Sequence, residues 1–442
     1  MNKVDSETAA ERLLVQGYEL VADAESADVV VFNTCSVREH AEERVYSRIG
    51  ALKWEKLRRP SLIIAVMGCM AQNSAGAVFR RAPLVDIVCG PRQAARLGDF
   101  IAQARAGQRI LAIDGGDRIR HHKAPRNVRV LDPADAPPFA RCGSVRPVPY
   151  QAFVTIMQGC DNFCSYCIVP YVRGPEISRP AEEIIEEINR LVETGAREVT
   201  LLGQNVNSYG GGLPSLLRVI HNIPGLDRIR FVTSHPKDVT DDLLSTMAEL
   251  PGVCNHLHAP AQSGSDSILK LMHRGYTRRQ YDDMLERARR IVPDIEIASD
   301  FIVGFPGETE QDFEQTVQLV RSAGFNQCFI FKYSPRKGTR AAELIDDVPE
   351  EAKKRRNNEL LAVQEEVSAR RNRAKHGRIL GVLVDGPSKS DPSKLAGRSP
   401  GYDIVVTEGP ETLVGSIIDV RITDSTPLTL FGEIVKHAPA IR

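Results

Sequence analysis

Three cysteines within eight residues, Cys160-Asp-Asn-Phe-Cys164-Ser-Tyr-Cys167, form the one segment of this 442-residue chain whose side-chain types and spacing speak directly of inorganic chemistry. A structural zinc wants four ligands, usually as two close pairs, and no fourth Cys or His lies at finger-like spacing. Three thiolates on a short loop suit a 4Fe-4S cluster, with three irons held by protein and the fourth open to a small chelating ligand. The other six cysteines, of nine in all, are scattered, and an odd, sparse set points to a reducing compartment rather than a disulfide framework. Cys35, in Asn33-Thr34-Cys35-Ser36, and Cys69, in Gly68-Cys69-Met70, each follow an apolar, β-branched run. At equivalent strand ends of one sheet they would converge, and they read as ligands of an auxiliary 4Fe-4S cluster. Cys89 follows a third short run and reads as core packing, and Cys142, Cys254 and Cys328 have no partner at ligand spacing.

The elements that must position these residues are legible as three domains. Residues 28–34 and 62–68 read as buried parallel strands, flanked by amphipathic patterns over Asp5 to Tyr18 and Glu39 to Leu57. That is a small parallel-sheet α/β domain over residues 1–116. Residues 117–148 lose periodicity, gain prolines and read as an irregular linker. From Ala152 on, strands at 153–157, 198–202, 229–233, 255–259, 296–303 and 327–333 alternate with helices, which predicts a partial (β/α)6 barrel, TIM-like, over 149–376. Such barrels place their chemistry after the carboxyl ends of the strands, where the cysteine triplet falls. His235 and His258 also follow strands, and for each a structural role and a substrate contact stay open. A long helix, Pro349 to Lys375, precedes short alternating runs at Ile379–Val384, Tyr402–Val406, Ser416–Ile422 and Leu430–Val435, which predict a small β-barrel over 377–438. Hydrophobic residues at 42% and charged residues at 26% exclude a disordered or fibrous chain. No apolar run approaches the roughly 18 residues of a membrane span, and the expected location is cytoplasmic.

The triplet at the mouth of such a barrel resembles the radical S-adenosylmethionine (SAM) superfamily. The resemblance implies that the open iron binds the amino and carboxylate groups of SAM, whose one-electron cleavage gives methionine and a 5′-deoxyadenosyl radical. It also implies SAM contacts at Gly203, Gln204, Asn205, Gln262, Ser263, Gly264, Ser265, Ile302 and Gly304, although a glycine after a strand is commonly only a turn. The three-domain layout resembles the radical SAM methylthiotransferases over essentially the whole chain, with a C-terminal domain like TRAM. Met157-Gln-Gly-Cys160, Val169-Pro-Tyr-Val-Arg173-Gly174-Pro-Glu176, Leu202-Gly-Gln-Asn205-Val-Asn207 and Thr233-Ser-His235-Pro236 are similar to its tRNA-modifying, MiaB-type branch. The branch that modifies a ribosomal-protein aspartate carries different residues after the second barrel strand and ranks second. An RNA-binding scaffold with a structural metal is the non-enzymatic alternative. Met1-Asn2-Lys3-Val4-Asp5-Ser6-Glu7 matches the family only after its opening strand and cysteine. The first strand and the first of three auxiliary ligands are therefore expected to be missing from this chain.

Lys+Arg and Asp+Glu both number 57, so any nucleic-acid partner must be met by local patches. Lys353, Lys354, Arg355 and Arg356 at one end of the long helix, Arg370, Arg371 and Arg373 at the other, and Arg398 beyond it form a credible phosphate footprint. Arg118, Arg120, Lys123, Arg126 and Arg129 add basic residues with no acid between them. The implied reaction adds a methylthio group to carbon 2 of N(6)-isopentenyladenosine beside the anticodon. Its implied requirements are two 4Fe-4S clusters, SAM, a tRNA anticodon stem-loop, an electron donor such as flavodoxin or ferredoxin, and an iron-sulfur carrier, with the enzyme a monomer.

Overall fold

A computed structural model of the chain describes residues 2–34, 39–114, 127–131, 146 and 148–435. It packs as two compact units, one comprising Met1–Pro147, Phe153–Asp161 and Cys167–Arg190, the other Val148–Ala152, Asn162–Tyr166 and Leu191–Arg442.

In the first unit β1 (Val29–Asn33), β2 (Ile63–Met67), β3 (Ile87–Cys89), β4 (Arg109–Ala112) and β5 (Val128–Leu131) form one parallel sheet in chain order. Alternation across the pleat sends Ile64, Val66 and Val88 into one core and Ile63, Ala65, Met67, Ile87 and Cys89 into the other. Two expectations change here. The stretch read as an irregular linker contains β5, which is four residues long and too short to show a period. The single helix expected over Glu39 to Leu57 is two, Glu39–Ala51 and Lys53–Arg58, because the Leu52 N–H turns back to the Ile49 carbonyl in a tight i−3 bond.

β6 (Gln151–Thr155) leads to a short antiparallel pair, β7 (Met157–Gln158) with β8 (Ile177–Ser178). In the second unit β9 (Glu198–Leu202), β10 (Arg228–Phe231), β11 (His256–His258), β12 (Glu296–Val303) and β13 (Gln327–Lys332) continue the pattern. The orders β10-β9-β6 and β11-β12-β13 are joined by a parallel bridge, Ile229 to Val253, so six strands follow one another in sequence order as in a partial (β/α)6 barrel. Two strands are shorter than expected: β11 spans His256–His258, and β10 stops at Phe231, because Thr233 takes φ +70, which a β-branched residue cannot hold in a strand. Side chains bracket the connecting helices: Thr277 with Gln280 and Thr309 with Asp312 form capping boxes before Arg278–Ile291 and Glu310–Ala323.

The long helix runs Glu350–Arg373. Beyond it β14 (Ile379–Pro387), β15 (Leu395–Arg398), β16 (Ile404–Thr407), β17 (Ile417–Ser425) and β18 (Thr429–Ile434) close a barrel, β14-β15-β16-β18-β17, around Val382, Val384, Val405, Val420 and Leu430. β15, Leu-Ala-Gly-Arg, carries too little β-branched sequence to be foreseen. Among the described residues no helix is long and apolar enough to cross a membrane.

Candidate functional site

The cysteine triplet sits on the loop between β7 and the short helix Val169–Val172. Its start is fixed by backbone. Gly159 has φ +81, and a Cβ there would lie 1.8 Å from the Pro175 carbonyl oxygen, so only glycine fits. The Cys160 N–H donates to the Gly174 carbonyl at 3.2 Å. Asp161 and Glu176 each accept the other's backbone N–H, at 3.2 and 3.4 Å. Residues 162–166 are anchored to the second unit. Ser165 donates its N–H to Met272 and its hydroxyl to the Leu271 carbonyl, and its own carbonyl accepts from Ala341. Phe163 sits at φ +46, a strained conformation for a bulky side chain. Cys164 is buried, and its Sγ receives a hydrogen bond from Arg274 Nη1 at 3.3 Å, while Cys160 and Cys167 are half-buried. None of the three is in a disulfide. Among the described residues no three His, Cys, Asp or Glu side chains gather tightly enough for one metal ion. A cubane takes each thiolate on a separate iron, so it asks for a wider triangle than a single zinc does. A cationic donor facing one sulfur fits an anionic cluster.

At the carboxyl ends of the strands the expected SAM contacts divide. Asn205 is buried, donates to Asp238 Oδ2 at 3.1 Å and accepts the His235 N–H at 3.0 Å, tying the β9 and β10 loops together. Gly203 is buried and Gln204 half-buried on that loop. Gln262 holds φ +71 and bridges to Phe301, a second strained non-glycine position at a strand end. Ser263, Gly264 and Ser265 also pack against a helix. Ser263 and Gly264 hydrogen-bond Thr316, Ser265 donates to Asp312 at 2.5 Å, and a Cβ on Gly264 would meet the Gln315 carbonyl at 2.4 Å. The two hydroxyls and the Gly264 N–H dock helix Glu310–Ala323. Burial alone would raise the Asp312 pKa, but the hydroxyls of Ser265, Ser267 and Thr309 bring it down to about 2. Gly304, at φ +71, is required by packing, since a Cβ would lie 2.3 Å from Lys353 Cγ. Ile302 is half-buried beside Phe305, Tyr333 and Tyr166.

Glu308 ends the 300–308 segment that carries Ile302 and Gly304, and the sequence does not single it out there. Burial pushes its carboxyl up to about 7, against the Gly304 N–H at 2.6 Å and Arg356 at 2.8 Å. Its Oε1 is buried with no hydrogen-bond partner among the described residues, an acceptor that fits a donor from a bound ligand. His235 makes a structural contact. It is buried, burial drives its imidazole pKa down to about 2, and its Nδ1 caps the Lys237 N–H. His258 Nε2 lies 2.9 Å from Asp300 Oδ1 and edge-on to Phe329.

In the first unit β1 and β2 pair in register, Asn33 with Met67, so the residues two beyond each, Cys35 and Cys69, follow equivalent strand ends. Cys35 itself lies outside the described residues, as do Cys142 and the basic residues Arg118, Arg120, Lys123 and Arg126. Cys69 is buried against Ile168 and Val172 at the first turn of helix Cys69–Arg81. Arg173, 3% exposed, hydrogen-bonds Cys69 and pairs with Asp5 at 2.6 Å. Burial opposes its charge, but Asp5 and Cys69 together raise its pKa. Cys89 is core, its thiol pushed up to about 12 by burial.

The basic footprint is partly engaged in ion pairs within the fold. Lys353 is buried and paired with Asp346, and Arg356 is buried between Glu308 and Glu310, so neither is available to a phosphate. Arg371 pairs with Glu296 at 2.6 Å, and Arg355 with Glu310 and Glu359. Lys354, Arg370 and Arg373 are exposed, and Arg398 stacks on Tyr402 with 4.6 Å to the ring centroid.

Comparison with known proteins agrees with this geometry. Residues 154–320 match the radical SAM superfamily, residues 373–435 the TRAM domain, and residues 1–90 an uncharacterized protein family, UPF0004. The tRNA-2-methylthio-N(6)-dimethylallyladenosine synthase of Syntrophotalea carbinolica is 44% identical over 98% of this chain and 97% of its own length. The protein of that name from Rhodopirellula baltica is 45% identical over 98% of this chain and 93% of its own. Among solved structures, the radical SAM methyltransferase TsrM of Kitasatospora setae, with cobalamin and a [4Fe-4S] cluster bound, aligns with a TM-score of 0.56 at 15% identity over 77% of this chain and 71% of that one, a likeness of fold. The chain belongs to the tRNA-2-methylthio-N(6)-dimethylallyladenosine synthase family of radical SAM enzymes.

Proposed function

We propose that this chain adds a methylthio group to carbon 2 of N(6)-isopentenyladenosine next to the anticodon of tRNAs. The observation that carries this reading is identity of 44 to 45% over 98% of the chain with synthases of that modification, in a chain that keeps the cysteine loop. Cys160, Cys164 and Cys167 hold the 4Fe-4S cluster that binds SAM, and Cys35 and Cys69 hold an auxiliary cluster. When bound, cluster and SAM supply one-electron cleavage chemistry that polar side chains cannot deliver to an unactivated aromatic C–H bond. The chain's own work is positioning. Gly159, Ser165 and the Asp161–Glu176 contacts set the cysteine loop, and Gly203, Gln204, Gln262, Ile302 and Glu308 border the SAM position. Asn205 and Gly304 support it from behind.

The exposed cations Lys354, Arg370 and Arg373, with Arg371 on the same helix and Arg398 on the TRAM barrel, take the phosphates of the stem-loop. Drawing the target base out of a loop is less costly than from a duplex, because loop bases are already largely unstacked. A flavodoxin- or ferredoxin-type donor supplies electrons, an iron-sulfur carrier loads the clusters, and the protein works as a cytoplasmic monomer. The test is 5′-deoxyadenosine release from SAM by the anaerobically reconstituted chain under dithionite. Wild type should release it, and Cys160→Ala, Cys164→Ala and Cys167→Ala should each abolish it; release by all three variants would refute the assignment.

A further inference from the structure

Six arginines are buried among the described residues, and five sit against an acid: Arg173 with Asp5, Arg179 with Glu187, Arg228 and Arg230 with Glu198, and Arg356 with Glu308. Arg274, 5% exposed, is the exception. Its fork donates to Tyr276 Oη at 3.0 Å, Tyr166 Oη at 3.4 Å, the Pro260 carbonyl at 2.8 Å and Cys164 Sγ at 3.3 Å, and no carboxylate among the described residues lies within ion-pair reach. A guanidinium removed from water without a counter-charge is costly, so buried charges are ordinarily paired or bound to a charged ligand. Every partner of Arg274 is neutral except the one whose sulfur becomes a thiolate on binding iron. Tyr276 is itself fixed, donating to the Ala261 carbonyl at 2.8 Å, so the fork is held aimed at the cysteine loop.

We propose that Arg274 is the positioning residue and counter-charge of the iron-sulfur cluster at the cysteine loop, donating to the Cys164 sulfur and favouring the reduced form of the cluster. The inference rests on the assignment of that cluster to Cys160, Cys164 and Cys167. A hydrogen bond and a positive charge at a ligating sulfur stabilise the more negative, reduced state and so raise the reduction potential of a one-electron couple.

The test is an anaerobic, EPR-monitored redox titration with dithionite of the full-length chain in a Cys69→Ala background, so that the loop's cluster alone contributes. Iron per chain, SAM affinity and far-UV circular dichroism are measured alongside. Arg274→Gln should keep iron and titrate at a more negative potential, lowering the reduced-to-oxidised ratio about tenfold at fixed potential, which is about 59 mV for one electron. Arg274→Lys, which restores charge but not the fork, should fall between. Loss of iron in the glutamine variant with recovery in the lysine variant carries the same conclusion. An unchanged potential overturns the proposal, and if SAM affinity falls at that unchanged potential, Arg274 serves the SAM carboxylate instead. Unfolding of both variants overturns it too, making Arg274 a residue of the fold. Absence of iron in the parent would defeat the cluster assignment, an outcome distinct from these.

Discussion

Replacing Gly159 by alanine separates backbone conformation from close approach, because the same unit contains a matched control. Gly159 and Gly107 have nearly the same backbone angle, φ +81 and +83, but a Cβ on Gly107 meets nothing within 4 Å, whereas on Gly159 it meets Pro175 O at 1.8 Å and Gly174 O at 2.6 Å. The left-handed conformation costs alanine about 1 to 2 kcal/mol at both positions, offset by about 0.4 to 1 kcal/mol from the stiffer unfolded chain. Only at Gly159 must residues 174–176 also move. That displacement costs about 1 to 3 kcal/mol as overpacking, and breaking the Cys160-to-Gly174 hydrogen bond adds about 1 kcal/mol. Gly159→Ala should therefore destabilise the first unit by about 2 to 4 kcal/mol more than Gly107→Ala. The assay is scanning calorimetry of both variants with iron analysis after reconstitution. Gly159→Ala should melt several degrees lower and bind less iron, and Gly107→Ala should keep its iron. Equal melting temperatures and equal iron would refute the claim that the cysteine loop is set by the close approach of Gly159 to residues 174–175.

Other outcomes follow from the same structure. Asp5→Asn leaves the Arg173 guanidinium buried with Cys69 and the neutral amides of residues 2 and 5 but no carboxylate, and should cost about 3 to 5 kcal/mol in urea unfolding and lower iron at the auxiliary site; unchanged stability would show that the pair is not coupled. Burial holds His235 at about 2 and His256 at about 3, below the ordinary 6.5, so below pH 6.5 the unfolded chain takes up protons that the folded chain refuses. Stability should fall with pH by about 1.4 kcal/mol per unit for each histidine, and His256→Gln should remove half of that slope; a variant with the wild-type slope would contradict it. Arg370→Ser with Arg373→Ser should weaken stem-loop RNA binding and flatten its log-log salt dependence by about 0.7 per lost contact. Lys353→Met should lower the melting temperature and leave RNA affinity alone, and the reverse pattern would return Lys353 to the phosphate surface.

How much could be read in the sequence depended on whether the signal was local. The six barrel strands, the C-terminal β-barrel and the cysteine triplet were legible because hydrophobic period and cysteine spacing are short-range patterns. β5 and β15 were not, being four residues each with their pairing set by neighbours distant in the chain. The basic run 353–356 misled for a related reason: on a helix, residues 353 and 356 lie one turn apart on the inner face, while 354 and 355 face solvent. Ser263 to Ser265 resembled a ligand loop because small polar residues serve helix docking and ligand contact equally well. Arg274 was invisible as a site residue, and Glu308 did not stand out within its segment, since a buried charge without a counter-charge, or a carboxylate oxygen without a donor, shows only in three dimensions.

The most direct measurement is nucleoside analysis by mass spectrometry. The reconstituted chain would be incubated with SAM, dithionite, an isopentenylated anticodon stem-loop RNA and, in competition, a ribosomal-protein peptide containing the alternative aspartate target. The account predicts a methylthio group on the isopentenyladenosine and an unmodified peptide, with none formed by Cys164→Ala. An unmodified RNA beside a methylthiolated aspartate would contradict it.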